Sequence, residues 1–349
     1  GTGAINYTAV GTSLTITGTA VTLANNIALP TSGTGNVTLV TPNNSSTVLN
    51  GVLSGGAAGT VLFFQGGASG QNTGVLTLNG DNTGLLGTIN IQRGPIILGN
   101  ANAAGSTKFI IDSNNHPAGA LQLGNFSIAN NLELVSGASI GVGTGNAATV
   151  SGTISGTSAL LKVGAGSLTL TGANTHTGAT NVNVGSLILG NASALGTTAA
   201  GTTVATGAVL DLNGLDIGAE ALTLNGTGIS SSGALVNTSA SAATVGSNIT
   251  LASAATIGGS GDIVVSGNAN GVFPLTKIGA GTLTLGGTIA ASLLSVDEGV
   301  LALPSTLALA NGQVLVAGRT GTPATDISGN IATGAGTLNI RSGTAVGSL

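Results

Sequence analysis

Three stretches of this chain repeat one another, and that constrains its fold more than any single motif. The first runs Leu76-Thr-Leu-Asn-Gly-Asp-Asn-Thr-Gly and continues through Ile89-Asn-Ile-Gln-Arg-Gly-Pro-Ile-Ile-Leu98-Gly-Asn-Ala. The second runs Leu168-Thr-Leu-Thr-Gly-Ala-Asn-Thr-His-Thr-Gly and continues through Val182-Asn-Val-Gly-Ser-Leu-Ile-Leu189-Gly-Asn-Ala. A degenerate third starts Leu283-Thr-Leu-Gly-Gly-Thr and reaches Val296-Asp-Glu-Gly-Val-Leu-Ala-Leu303. The copies lie near 76–101, 162–192 and 277–303, and their starting leucines are 92 and 115 residues apart. Those intervals are four and five times 23. A period of twenty-odd residues is the size of one coil of a β-solenoid.

The local pattern agrees. Leu14-Thr15-Ile16-Thr17, Val37-Thr38-Leu39-Val40, Leu222-Thr223-Leu224-Asn225 and the openings of the copies alternate aliphatic with polar residues. That is the period of a half-buried strand. Gly and Asn punctuate these stretches as turns. No apolar stripe at helical spacing has useful length; Ala290 to Leu294 comes nearest and is confined by glycines.

Composition selects a solenoid over a sandwich. The 349 residues include 61 Gly, five Phe and one Tyr, with no Trp, Met or Cys. A sandwich core is usually filled by aromatic and other large side chains. A β-helix has a narrow core that Leu, Ile, Val and Ala fill by stacking like on like. Gly serves its tight corners, and Asn can form ladders between coils. The expected fold is all-β, a right-handed parallel β-helix over residues 1–349 as one continuous solenoid. It would be a rod of roughly 70–75 Å from about 15 coils at the usual strand spacing.

Composition also excludes function classes. Charged residues are 5% and hydrophobic residues 42% of the chain, the reverse of a disordered segment. Six Lys and Arg against a net charge of −4 leave no phosphate-binding surface, so nucleic acid is not an expected partner. No apolar run approaches the roughly 18 residues of a membrane helix, so this segment is not expected to insert in a membrane. Without Cys there is neither a disulfide framework nor a thiolate metal site. The absence of an initiator Met and of a leader pattern reads as a mature, processed or partial chain.

The second copy and its lead, Lys162-Val-Gly164-Ala-Gly166-Ser-Leu168-Thr-Leu170-Thr-Gly172-Ala-Asn174-Thr175-His176-Thr-Gly178, resembles the passenger-associated transport repeat, also called the autotransporter-associated β-strand repeat. His176 stands where that pattern has Tyr. Lys277-Ile-Gly279-Ala-Gly281-Thr-Leu283-Thr-Leu285 resembles its opening but lacks the Asn-Thr-Tyr portion, and Leu76 to Gly84 resembles its middle without the lead. The resemblance implies a β-helix on the surface of Gram-negative-type bacteria, with repeat residues that serve transport and folding outside the cell and carry no catalysis. The C-terminal membrane barrel of autotransporters is not evident, and Ile340 to Leu349 does not read as a membrane strand.

Chemical motifs are sparse. Gly137-Ala-Ser139-Ile-Gly141 fits the G-x-S-x-G elbow but is followed by strand and turn rather than helix. Gly258-Gly-Ser-Gly-Asp262 is a non-tandem near-match to the calcium nonapeptide. For a polysaccharide-active enzyme the candidate carboxylates are Asp211, Asp216 and Glu220, or Asp297 with Glu298. Asp211 reads as a solvated strand residue and Asp297-Glu298 as a turn. His116 and His176 are isolated. Phe63-Phe64 places one ring on each face of a strand, and one of the rings reads as exposed. The paired Thr rows, Thr15, Thr17 and Thr19, then Thr169 and Thr171, reflect β-propensity.

The expected function is therefore a non-enzymatic extracellular structural protein without cofactors: a β-helical surface stalk, passenger or fibre subunit. Its partners would be other copies, stacked end to end or laterally, or an adjoining solenoid of the same protein. The alternative is an adhesin-type module for glycans or cell-surface proteins, using loops at Ala57 to Thr73 and Ser113 to Gly119. A polysaccharide-active β-helix enzyme ranks third.

Overall fold

The computed structural model describes residues 3–67, 73–112, 116 and 118–303, and beyond them 307–308, 312–317, 325–328, 331–332, 337–340 and 344–346. The strand pairings between these residues are parallel, as in a β-solenoid. About 13 coils of about 22 residues are formed, against the 15 expected from a uniform 23-residue unit. Among the described residues the one helical element is a 3-10 turn, Ile229–Ser231, and no helix is long and apolar enough to cross a membrane. Ala290 to Leu294 enters a strand, Leu293–Val296, as its glycine confinement implied.

The chain divides into two compact units, Gly1–Gly178 and Ala179–Leu349. In the first unit one sheet stacks Thr12–Thr15, Gly35–Thr41, Thr60–Gly66, Thr88–Arg93, Lys108–Asp112, Leu132–Ser136 and Ile154–Gly156 in chain order. Its register aligns Val37, Leu62, Ile89, Phe109, Leu132 and Ile154 in one buried row. A second row aligns Leu39, Phe64, Ile91, Ile111 and Leu134, also buried. Alternation turns these positions inward, and stacking lays each against its equivalent one coil away. Each buried aliphatic side chain contributes about 1.5–3 kcal/mol through removal from water, which substitutes for a broad aromatic core. Phe64 is buried and its neighbour Phe63 half-buried on the opposite face, the alternation expected of the pair.

The second unit repeats the arrangement. Leu210, Leu235, Ile257, Lys277, Val296 and Ala317 follow one another in register. On an outward row Thr203, Thr223 and Thr250 stack over three coils. These threonines come from unrelated sequence segments, so the row was not visible before the register was known.

Corners are held by asparagine. Asn26, Asn125, Asn131, Asn248 and Asn268 each accept, through the side-chain oxygen, a backbone N–H of the next coil at 2.8–3.2 Å. The expected ladders are present, but most link side chain to backbone; Asn79 donating to Asn50 at 2.9 Å is a side-chain rung.

Candidate functional site: the repeat elbow and its buried polar groups

The Lys-x-Gly-x-Gly lead forms an elbow at the end of a strand. Lys162 continues a row in which the preceding coils carry Leu76, Ile96, Leu121 and Ile140, and it points the same way, fully buried. Its ammonium turns back and donates to the carbonyls of Val163 at 3.1 Å and Gly164 at 2.7 Å. Lys277 repeats this in the second unit, donating to Ile278 at 2.7 Å, Gly279 at 2.5 Å and Glu298 of the next coil at 3.1 Å. A buried ammonium is tolerated only with such partners. Burial lowers Lys162 from 10.5 to about 8. Burial also lowers Lys277 to about 8, against the opposing pull of Glu298 and Asp262.

The carbonyls that the lysines hold converge because the backbone reverses hand. Gly164 and Gly279 have φ of 76° and 75°, the left-handed region that glycine enters without strain. A Cβ at either would also collide with a carbonyl of the preceding coil, Val142 or Gly259. Gly166, Gly172, Gly178 and Gly281 lie against the preceding coil's backbone as well. Leu168, Leu170, Leu283 and Leu285 fill the interior. The structure thus assembles the two leads in the same way.

Asn174 is the next element of the pattern, shared by two of this chain's own copies. It is buried, and its side-chain oxygen accepts the N–H of Ile154 at 2.8 Å, while Thr175 N donates to the Ile154 carbonyl at 2.8 Å. Asn82, its equivalent in the first copy, accepts from Leu53 N at 2.7 Å and donates to the Ala103 carbonyl at 2.6 Å, bracketing both neighbouring coils. The third copy lacks this bracket. His176 fills the aromatic slot of the pattern, fully buried; burial lowers its pKa, partly offset by a backbone bond to Ile154.

Of the remaining candidates, Asp216 and Glu220 line one surface cleft, and the others are taken up by local hydrogen bonds. Ser139 is buried inside the strand Ser139–Val142, and its hydroxyl accepts Ala120 N at 2.9 Å, so the G-x-S-x-G match is strand rather than elbow. Asp262 accepts Thr282 N at 2.7 Å. No group of three or more His, Cys, Asp or Glu that could hold a metal occurs among the described residues. Asp297 accepts the Ser295 hydroxyl at 2.6 Å, and Glu298 accepts Gly279 N at 3.3 Å, as befits a turn. Asp211 corrects the sequence reading. It alternates away from Leu210 and Leu212 as expected but is buried, because the next coil closes over it. Thr238 donates to its carboxylate through both N–H and hydroxyl, at 3.2 and 2.5 Å, and Asn213 N donates at 2.9 Å. Asp216 is exposed and accepts Gly218 N at 2.8 Å, whereas Glu220 is buried, accepting the Thr202 hydroxyl at 2.8 Å. Burial raises the Glu220 pKa, with the Thr202 bond opposing.

The proposed binding loops fare differently. Seven residues of Ala57 to Thr73 form the strand Thr60–Gly66, a correction, with 68–72 outside the described residues. Residues 113–115 and 117 are outside them too; of that loop, half-exposed His116 accepts Gly119 N at its carbonyl, 2.9 Å, and burial lowers its pKa. Arg319 and Arg341 also lie outside the described residues. Sequence reasoning missed Asn130 and Asn237. Both are buried brackets: Asn130 donates to the Gly105 and Thr107 carbonyls, and Asn237 accepts Gly214 N while donating to Asp262 O.

Comparison with known proteins agrees with this geometry. The passenger-associated-transport-repeat family model matches residues 160–189 and 275–303, which contain both elbows; the copy near 76–101 is outside the two ranges. The Adhesin BmaC autotransporter of Brucella suis biovar 1 (strain 1330) is 31% identical over 211 residues, 55% of this chain. The match spans 6% of that relative's length. No solved structure matches the chain. Residues 160–189 and 275–303 are thus passenger-associated transport repeats, built as coils of a parallel β-solenoid.

Proposed function

We propose that this chain is a non-enzymatic segment of an extracellular, autotransporter-type surface protein of a Gram-negative-type bacterium, and that it works as a stalk. The observation that carries this reading is where the buried polar groups spend their bonds. Lys162, Lys277, Asn82, Asn174 and Asp211 all close elbows or link neighbouring coils, and none of them converges with others on a shared open site. Protease treatment of intact cells producing the parent protein tests the location. Release of peptides from this chain is expected; their protection until lysis would overturn the reading. Incubating the chain with a polysaccharide panel tests the chemistry. No new reducing or unsaturated ends are expected, and turnover that disappears in Asp216→Asn would make the chain an enzyme.

With 5% charged residues, little repulsion opposes contact between copies. End-to-end or lateral assembly into filaments belongs to the same proposal. Electron microscopy across a concentration series should show fibres that lengthen with concentration, and particles of constant size would remove that part. An adhesin is the second reading, favoured by the name of the relative. Binding of the chain to host or neighbouring cells, lost on deletion of residues 113–119, would support it over a plain stalk.

A further inference from the structure

Each unit carries a cleft built in the same way. After the strand Ile96–Leu98 the chain leaves the coil path through consecutive turns at 99–107, and after Gly185–Leu189 it does so again at 190–201. The two excursions share three hydrogen bonds. The Asn100 side chain accepts Asn102 N, and that of Asn191 accepts Ser193 N, both at 2.9 Å. The carbonyls of Asn100 and Asn191 accept Ala103 N and Ala194 N at 3.2 and 3.0 Å. Those of Asn102 and Ser193 accept Gly105 N and Gly196 N at 2.9 and 3.1 Å. Each excursion overhangs the following coil and leaves a cleft, about 450 Å³ in the first unit and about 440 Å³ in the second.

The opposite walls are equivalent too. Ile97 pairs with Gln122 and Ile188 with Asp211, so counting onward places Ser127 and Asp216 at one position, and counting back from the next strand openings, Leu132 and Leu222, places Asn130 and Glu220 at another. All four line their clefts. The volumes fall within the range of about 300–1,000 Å³ usual for small-molecule sites. The lining chemistry narrows the ligand. Both clefts present short amide, hydroxyl or carboxylate groups over small residues such as Ala129, Gly196 and Gly218; neither is lined by an aromatic, and the large apolar residues of the second, Leu195 and Ile217, are buried rather than offered as anchors for a peptide side chain. Lys108 at the rim of the first is ion-paired with Glu133, so it is not a free phosphate receptor. In the second, Glu220 is 2% exposed and lines the cleft, with one oxygen on the Thr202 hydroxyl. Planar groups with paired acceptors or donors match the adjacent hydroxyls of a sugar ring.

We propose that these two clefts are equivalent binding sites for a neutral oligosaccharide. This goes beyond the stalk function and does not depend on it. The test is calorimetric titration of the full chain with cellotriose, maltotriose and N,N′-diacetylchitobiose. The blocking variants are Ala129→Trp and Ala192→Trp, both at exposed lining positions. At least one sugar should bind with two sites per chain. Each single variant should reduce the count to one and the double variant to none, with thermal melting unchanged. No binding of any of the three at millimolar concentration would overturn the proposal. So would a single site in the unmodified chain, or binding that survives both substitutions. Should a tryptophan variant melt early, Asp216→Ala replaces it. That truncation of an exposed side chain should weaken one of the two sites at least tenfold, and an unchanged affinity would overturn the proposal.

Discussion

At the scale of the residue, the lysines of the two elbows show how a charge can be used inside a nearly uncharged protein. Each occupies an interior position where other coils carry Leu, Ile or Val, and each holds the carbonyls of its own elbow. Their pKa near 8 in the folded chain is below the ordinary 10.5, so between these values the unfolded chain binds more protons. Stability from these groups therefore rises as pH increases from 8 towards 10.5 and is lowest below 8. The urea midpoint should climb between pH 8 and pH 10, and the climb should shrink in Lys162→Met and Lys277→Met. A midpoint flat over that window in the unmodified chain would contradict the burial argument. Asn174→Ala should cost about 1–3 kcal/mol in urea unfolding, because the N–H of Ile154 loses its acceptor inside the coil. Gly164→Ala should cost at least about 1–2 kcal/mol for the left-handed backbone alone, before the collision with the Val142 carbonyl.

At the scale of the element, strands matter through their rows. Ile91 lies in register between Phe64 and Ile111, so Ile91→Ala opens a gap facing two coils at once. The expected loss is about 2–5 kcal/mol, measured by chemical unfolding; a loss under about 1 kcal/mol would mean that the row is not continuously packed. Strands of this kind were legible in the sequence because alternation states which residues face inward, and the repeat spacing gave the mean coil length. Corners were not. Asp211 has the parity of a solvated residue, but Asn213 and Gly214 then take φ of 48° and 75°, and the Thr238 segment covers it. The burial of Asp211 depends on a coil 27 residues later, which no local pattern reports. The clefts were hidden likewise. The repeated Leu-Gly-Asn-Ala was visible at Leu98 and Leu189, but its meaning as an overhang needed the register of the following coil.

At the scale of the whole molecule, stability is a sum over neighbouring coils rather than the property of one wide core. Five Phe and one Tyr in 349 residues suffice because each interior side chain needs only its equivalents above and below. The buried polar side chains then serve the stacking of coils, and this is the claim on which the structural reading of the repeats rests. Hydrogen exchange resolved by mass spectrometry, comparing Asn174→Ala with the unmodified chain, tests it most directly. Faster exchange should centre on residues 132–178 and fade with distance along the chain, leaving 243–303 at their original protection. Acceleration spread evenly over all described strands would contradict the account, since it would mean that a single cooperative core, and not coil-to-coil bonding, holds the protein together.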